Sequence, residues 1–342
     1  MNRKLLRELC NLDGVSGREE DVREYILDEL EASSAPKEIT VDPMGNVLVH
    51  LIGRQTGSHR LLLDAHMDEV GFLVTGVDEL GFVHVAAAGS PDERVLAAQN
   101  VVVYGDKPYP GVFCSVPPHL IQKDSGLPEL STRGIDIGMS GQEAMAHVRP
   151  GDRVAFAPRF FPMGETVVSC KALDNRAGMA AILEALSVLR QPAATVAVAF
   201  CVQEEVGLRG AGVAARQIRP DIAVALDATT AADTAGSRPD NAVCRVGDGG
   251  VVSFADRATL YDADLYRQIR ALADEHGIPT QTKTRIAGGN NAGSIQTGGD
   301  GVRMAALSLP CRYIHSPTCT GSWADVQAME DLLRLLIGVL PV

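Results

Sequence analysis

Apolar and polar positions divide the 342 residues into three stretches. In the first, Val22, Tyr25, Ile26 and Leu30 recur at helical spacing and Ser16 followed by Glu19 reads as a capping box, predicting a helix over 17–31. A turn at Asp42-Pro43-Met44-Gly45 leads to the short apolar runs 46–51 and 60–65, which read as strands. From about 70 to 162, β-prone runs at 71–77, 81–87, 100–104, 111–116 and 153–157 are punctuated by Gly and Pro, the pattern of a small β-barrel or sandwich. Beyond Asp174, helices at 175–190, 209–218, 261–276 and 322–339 alternate with strands at 194–202, 221–226, 251–255 and 303–309. The expected fold is therefore α/β, a mostly parallel sheet flanked by helices. Residues 1–69 form its first part, 70–162 an inserted β domain and 163–342 its second part.

Composition narrows the function. Formal net charge is −12, and the 31 basic residues form no basic run, which argues against nucleic acid or an anionic membrane as partner and favours small molecules or peptides. No stretch of 18 apolar residues occurs and the first residues carry regular charges, so neither a spanning helix nor a signal peptide is read and a cytoplasmic location is expected. Seven cysteines, widely spaced and without a C-x-x-C pair, read as reduced and mostly buried thiols. Cys170 and Cys201, near the chemistry in sequence, read as small core residues.

In an open parallel sheet, ligands collect beyond the carboxyl ends of the strands. Run 60–65 ends in His66-Met67-Asp68, run 194–202 in Gln203-Glu204-Glu205 and run 221–226 in Asp227, so three strands deliver His, Glu and Asp to one edge. Asp174 opens the following helix, and His315 lies in the loop after 303–309. Nitrogen and carboxylate donors without cysteine suit hydrolytic zinc, cobalt or manganese. Two ions about 3.5–4 Å apart need a bridging carboxylate plus a His and a second carboxylate each. The set is assigned accordingly: Asp174 bridges, His66 and Asp227 hold one ion, and Glu205 and His315 hold the other. Glu204, diverging from Glu205, is left free as general base and acid, and Asp68 orients His66.

With these residues in place, a resemblance appears. Gly14-Val15-Ser16-Gly17-Arg18-Glu19-Glu20, LLLDAHMDEVGFLV (61–74), Pro117-Pro118-His119-Leu120, Ile135-Asp136-Ile137-Gly138, KALDNRAG (171–178), QEEVGLRGA (203–211), LDAT (226–229), GGNNAG (288–293) and RYIHSP (312–317) resemble, in order and over nearly the whole chain, the tetrahedral, glutamyl-aminopeptidase family of co-catalytic metallopeptidases. The resemblance implies an α/β catalytic domain interrupted by a PDZ-like β domain that mediates dimerisation, and dimers that assemble into a twelve-subunit shell. It further implies release of N-terminal residues from short peptides with paired zinc or cobalt ions. Some members carry a cellulase label, which is discounted because a glycosidase needs two free carboxylates flanking a sugar. The chain departs from the family at Asn290-Asn291, where many relatives have Thr-Asp, at Val116, commonly lysine, and at Gly247-Asp248-Gly249-Gly250, usually Gly-Lys-Gly-Pro.

The Asn291 amide, in place of an acid that would hold a free amine, motivates a second reading as an N-acyl amino acid or blocked-peptide deacylase. A third, a shell-forming protein without catalysis, conflicts with the presence of all the chemical residues. His119 reads as structural, and His84, His147 and His276 as surface or packing residues. Lys283 and Arg285, before the GGNNAG loop, read as solvated, the other reading being a positive pocket for an acidic side chain.

Overall fold

The computed structural model describes residues 2–33, 37–51, 53, 60–120, 129–189, 192 and 195–340. Leu5, Leu6, Leu9 and Cys10 share a buried face and the Asn2 side chain accepts the Leu5 N–H at 3.1 Å, making Arg3–Asn11 helix α1, which the sequence reading passed over. Helix α2 (Glu20–Ala32) buries Val22, Ile26 and Leu30 as expected. Its capping box does not form, because the Ser16 hydroxyl donates instead to Asp68 Oδ2 at 2.6 Å. The Glu19 carboxylate accepts the N–H groups of Gly17 and Gln203.

Strands β1 (Glu38–Val41) and β2 (Val47–Leu51) form a hairpin. Asp42 closes it by accepting the N–H groups of Met44, Gly45 and Asn46, with Gly45 at φ +100°. Strand β3 (Leu61–His66) follows. Then β4 (Gly71–Val77), β5 (Val83–Ala88), β6 (Asn100–Tyr104), β7 (Pro108–Phe113), β8 (Gly134–Asp136) and β9 (Arg153–Phe156) close a barrel in the order β4-β5-β8-β7-β6-β9. Phe72 packs edge-on against Phe113 and Phe156, with ring centroids 5.0 and 5.6 Å away, at its centre. Helix α3 (Gly141–His147) links β8 to β9, with the Glu143 carboxylate accepting the Ser140 N–H. β10 (Phe160–Met163), straddling the expected boundary at 162, pairs with β11 (Val167–Cys170) in a separate three-stranded sheet.

The α/β pattern then resumes with α4 (Leu173–Val188), β12 (Val196–Cys201), α5 (Arg209–Ile218), β13 (Ile222–Thr230), β14 (Gly250–Val252), α6 (Ala263–Glu275), β15 (Thr280–Thr282), α7 (Ala292–Ile295), β16 (Arg303–Cys311), β17 (Cys319–Ser322) and α8 (Trp323–Val339). The main sheet has the order β1-β2-β12-β3-β13-β16-β14-β15. Its central strands β12, β3, β13 and β16 are parallel, as is the β14–β15 pair, while β2 joins both β1 and β12 antiparallel and β14 joins β16 antiparallel, so the sheet is parallel in most of its pairings, with antiparallel joins on either side of the centre. Part of the reason is local: the tight turn at Asp42–Gly45 forces β1 and β2 to run in opposite directions.

Strand alternation sorts the sheet residues. Leu61, Leu63 and Ala65 join the core with α1, α2, α4 and α8, while Leu62 joins the core with α5 and α7. Asp64 and His66 share the parity of Leu62, as Asp227 shares that of Ala223 and Ala225. The parallel register sets Asp64 opposite Ala225, so two residues further on His66 and Asp227 emerge side by side from one face. Among the described residues no helix is long and apolar enough to cross a membrane.

Candidate metal centre

The fold brings together the six residues read as ligands and proton carrier, from five separate segments. His66 is the last residue of β3, and Asp227 lies within β13, which runs on to Thr230 instead of ending before it. Glu204 and Glu205 follow β12. Asp174 stands at the start of α4 with non-helical φ −83° and ψ 104°, and its peptide to Asn175 is cis. His315 sits between β16 and β17 at φ +61°.

Asp174 is the centre of the arrangement. Its Oδ1 lies 3.0 Å from His66 Nε2, and its Oδ2 lies 3.4 Å from His315 Nε2. Asp227 Oδ1 is 3.5 Å from the same nitrogen of His66, and Glu205 Oε2 is 3.4 Å from that of His315. Donor atoms of His66, Asp174 and Glu205 fall within 4.8 Å of one another, as do those of His66, Glu204 and Asp227. Each imidazole is tied at its other nitrogen to a backbone carbonyl: His66 Nδ1 to Asp68 at 3.1 Å, and His315 Nδ1 to Ser90 at 2.9 Å. Both Nε2 atoms are thereby aimed at Asp174.

Asp68 does more than orient His66. Its carboxylate accepts the N–H groups of Glu204 at 2.9 Å and Glu205 at 3.1 Å and the Ser16 hydroxyl, whereas its approach to His66 Nδ1 is 3.5 Å. It therefore fixes the segment that carries the two glutamates. Burial raises the Asp68 carboxyl, but His66, Ser16 and the Glu204 N–H outweigh it and hold the group below its usual range.

Electrostatics test whether divalent ions fit here. Burial pushes Glu204 and Glu205 well above the usual carboxylate range, with Asp227 and Asp174 adding repulsion, and it brings Asp227 up to about 7. Asp174 is held low, its burial outweighed by the two imidazoles. Both imidazoles are raised: burial opposes charging, but Glu204 and Asp174 at His66, and Asp174 at His315, outweigh it. Four carboxylates gathered in so small a buried space repel one another, a repulsion that bound cations would relieve. Oxygen and nitrogen donors with open space beside them suit hydrolytic divalent ions.

That space is a cleft of about 200 Å³ lined by Asp174, Glu204, Glu205, Asp227 and His315 at one end and by Thr229, Val243, Lys283, Gly288, Gly289, Asn290, Ser308 and Ile314 around it. Lys283 is buried against it, contrary to the solvated reading. Arg285 is exposed and turns away, donating to Asp240 O and Asn241 Oδ1. Asn291 does not line the cleft. It is buried beside Asp64, whose carboxyl burial raises to about 6 against the opposing Cys201 thiol and Asn291 amide. An acid at 291 would set a second buried carboxylate against Asp64, so the amide has a reason unrelated to substrate amines.

Several contributors stand outside the residues that the sequence points to. Ser90 and Asp92 belong to the loop after β5, and the Asp92 N–H donates to the His315 carbonyl at 2.9 Å, so the barrel side holds the second imidazole in place. Gly89, at φ +81°, lets this loop pass Glu205; an added Cβ would lie 3.2 Å from the Glu205 Cβ and 3.0 Å from Val70 Cγ1. Lys171 donates to Leu12 O and pairs with Asp13 and Glu69 at 2.8 and 2.6 Å, joining the chain before α2, the residue after Asp68 and the approach to Asp174. Position was the available signal, since Glu69 adjoins Asp68 and Lys171 precedes Asp174 by one turn. His119 is exposed in the short helical turn Pro118–Leu120. His84, His147 and His276 bind Asp78, Asp106 and the Leu272 carbonyl away from the centre.

A family model described as M42 glutamyl aminopeptidase matches residues 45–332. A protein of Acetivibrio thermocellus named as a candidate aminopeptidase is 36% identical over 330 residues, covering 96% of each chain. The lysyl aminopeptidase of Pyrococcus furiosus is 29% identical over 98% of this chain and 96% of its own. The solved TET1 peptidase of Pyrococcus horikoshii, described as able to assemble into a tetrahedron or a large octahedral shell, superposes with a TM-score of 0.87 at 32% identity, covering 98% of this chain and 99% of its own.

Proposed function

The chain belongs to the M42 glutamyl aminopeptidase family and is a metallo-aminopeptidase, and from that premise we propose that it frees N-terminal residues from short peptides at a site where Asp174, set between His66 and His315, would with Asp227 and Glu205 hold two divalent ions. The observation that carries the reading is the pair of Nε2 atoms, from His66 and His315, each set against a different oxygen of the one Asp174 carboxylate. Asp227 beside His66 and Glu205 beside His315 complete the two half-sites. Zinc or cobalt suits these donors. When bound, the two ions supply Lewis-acid polarisation of the scissile carbonyl and acidify the attacking water.

The protein's own part is positioning and proton transfer. Glu204 borders the cleft and has its backbone N–H pinned by Asp68. It takes the proton from the attacking water and returns it to the departing amine. Asp68 is a positioning residue, holding Glu204 and Glu205 by their amides and His66 by its carbonyl. Removing the carboxylate of Glu204 by Glu204→Gln is expected to leave metal content unchanged and to lower kcat on an aminoacyl-p-nitroanilide by about 10²–10⁴-fold. A variant with full turnover overturns the assignment.

The deacylase reading loses its motive, because Asn291 is buried and does not line the cleft. N-acyl amino acids belong in the same assay as the contrasting panel. We further infer a cytoplasmic homo-oligomer in which the PDZ-like barrel domain, 70–162, pairs subunits of a zinc-peptidase type catalytic domain and dimers close into a dodecameric shell. The support is 32% identity over nearly the full length of a peptidase solved as a dodecamer and described as able to form a tetrahedron or a large octahedral shell.

A further inference from the structure

Two side chains placed to cap helix α2 are spent elsewhere. Glu19 occupies the N-cap position, yet its carboxylate accepts no N–H of the helix that it opens. One of its oxygens, Oε1, accepts the Gly17 N–H at 2.7 Å and, from 184 residues along the chain, the Gln203 N–H at 3.2 Å. Ser16 likewise turns from α2 to the Asp68 carboxylate. Glu19 is only 3% exposed, and burying a carboxylate is costly unless hydrogen bonds offset the loss of water.

The distant partner of Glu19 immediately precedes the proposed base. Gln203 has φ +56°, a left-handed conformation that strains any residue bearing a Cβ. Such a conformation persists where the surroundings over-determine it. Here the Gln203 N–H goes to Glu19 and its carbonyl accepts the Arg209 N–H at 3.1 Å. The three successive N–H groups of Gln203, Glu204 and Glu205 are thus taken by two buried carboxylates, the first by Glu19 and the other two by Asp68. Because peptide units are planar, the torsions at Gln203 set the direction in which the chain enters Glu204, whose side chain borders the cleft.

We propose that Glu19 is a positioning residue for the hydrolytic step, holding Gln203 left-handed so that the Glu204 carboxylate meets the attacking water. The proposal rests on the reading of Glu204 as proton carrier. Glu19 does not line the cleft and acts through one backbone N–H.

The test exploits capping chemistry. Aspartate and serine are favoured N-cap residues, so Glu19→Asp and Glu19→Ser leave α2 well capped while falling short of Gln203. Glu19→Gln keeps the length and an acceptor oxygen and removes the charge. For wild type, these three variants and Glu204→Gln, kcat and KM on L-leucine p-nitroanilide are measured on metal-loaded enzyme, with metal content and urea unfolding. Both short variants are expected to lower kcat by about 10–100-fold, the cost of a misplacement of roughly 1 Å. KM, metal content and stability should stay near wild type, and Glu19→Gln should recover most of kcat. A merely structural role predicts the reverse, with the short variants active and any loss tracking unfolding. Wild-type kcat in the short variants, an equal loss in Glu19→Gln, or a loss carried by KM or metal content overturns the proposal. So does failure of both short variants to fold, which would assign Glu19 to the fold. If Glu204→Gln keeps full turnover, the reading of Glu204 is what fails. The crystal structure of Glu19→Asp then decides the clamp by itself: Gln203 displaced from the left-handed region upholds it, and Gln203 unchanged overturns it.

Discussion

Replacing the Asp68 side chain with a methyl group would leave the buried Glu204 N–H, the half-buried Glu205 N–H and the buried Ser16 hydroxyl without their acceptor. Each orphaned buried group costs ~1–3 kcal/mol. Asp68→Ala is therefore expected to lower stability and to weaken metal affinity by about 10–100-fold, as loss of a ligand's supporting partner does. Metal titration by calorimetry checks this, and unchanged affinity would remove Asp68 from the site's support. That a carboxylate belongs at this position was legible from His66-Met67-Asp68. Its main partners were not, because the amides of Glu204 and Glu205 lie more than 130 residues away, as contacts with |i−j| of 136 and 137. Ser16 shows the same competition from the other side: a hydroxyl suited to capping α2 bonds to a buried anion instead, a stronger acceptor than its own helix provides.

Among elements, helix ends were read well where only local chemistry acts. Helix α5 was expected at 209–218 and runs Arg209–Ile218. The short α3 carries a contact from Glu143 back to Ser140, but its seven residues hold too little apolar periodicity to predict a helix. Helix α6 offers a test of pH linkage. Asp262 caps it by accepting the Asp264 and Leu265 N–H groups and also pairs with Arg303 Nε at 2.7 Å. Arg303 draws its carboxyl down from 3.8 to about 2. A carboxyl lower in the folded state than in the unfolded one stabilises above the unfolded value, and that contribution is lost as pH falls toward the folded one. Asp262→Ala should cost ~1 kcal/mol near neutral pH, as loss of a cap does. The gap to wild type, followed by urea unfolding, should hold from pH 7 down to about 4 and narrow below that. A gap that widens on acidification would show that Arg303 is not its source.

For the whole molecule, the buried carboxylates ask for cations. Ions that bind only the native state stabilise by ~2.7 kcal/mol at one hundred times Kd. Chelation is therefore expected to lower Tm by about 5 °C or more, reversed by zinc or cobalt. The Asp174→Asn variant should respond much less, as seen by scanning calorimetry; an equal response would place the stabilising ion elsewhere. The barrel takes part in this economy, since its loop carbonyl at Ser90 holds His315 and its Gly89 passes close to Glu205.

The order of apolar and polar residues along the chain was enough to specify the class of fold, the barrel interruption and the residues that meet at the strand ends. Those features follow from periodicity and from the rule that parallel strands present their carboxyl ends to one crevice. Tertiary structure decided the antiparallel flanks of the sheet, the bonding of Asp68, the seclusion of Asn291 and the burial of Lys283. Whether a polar group meets solvent, a partner or a cleft depends on what the fold packs against it, and those neighbours come mostly from distant parts of the chain.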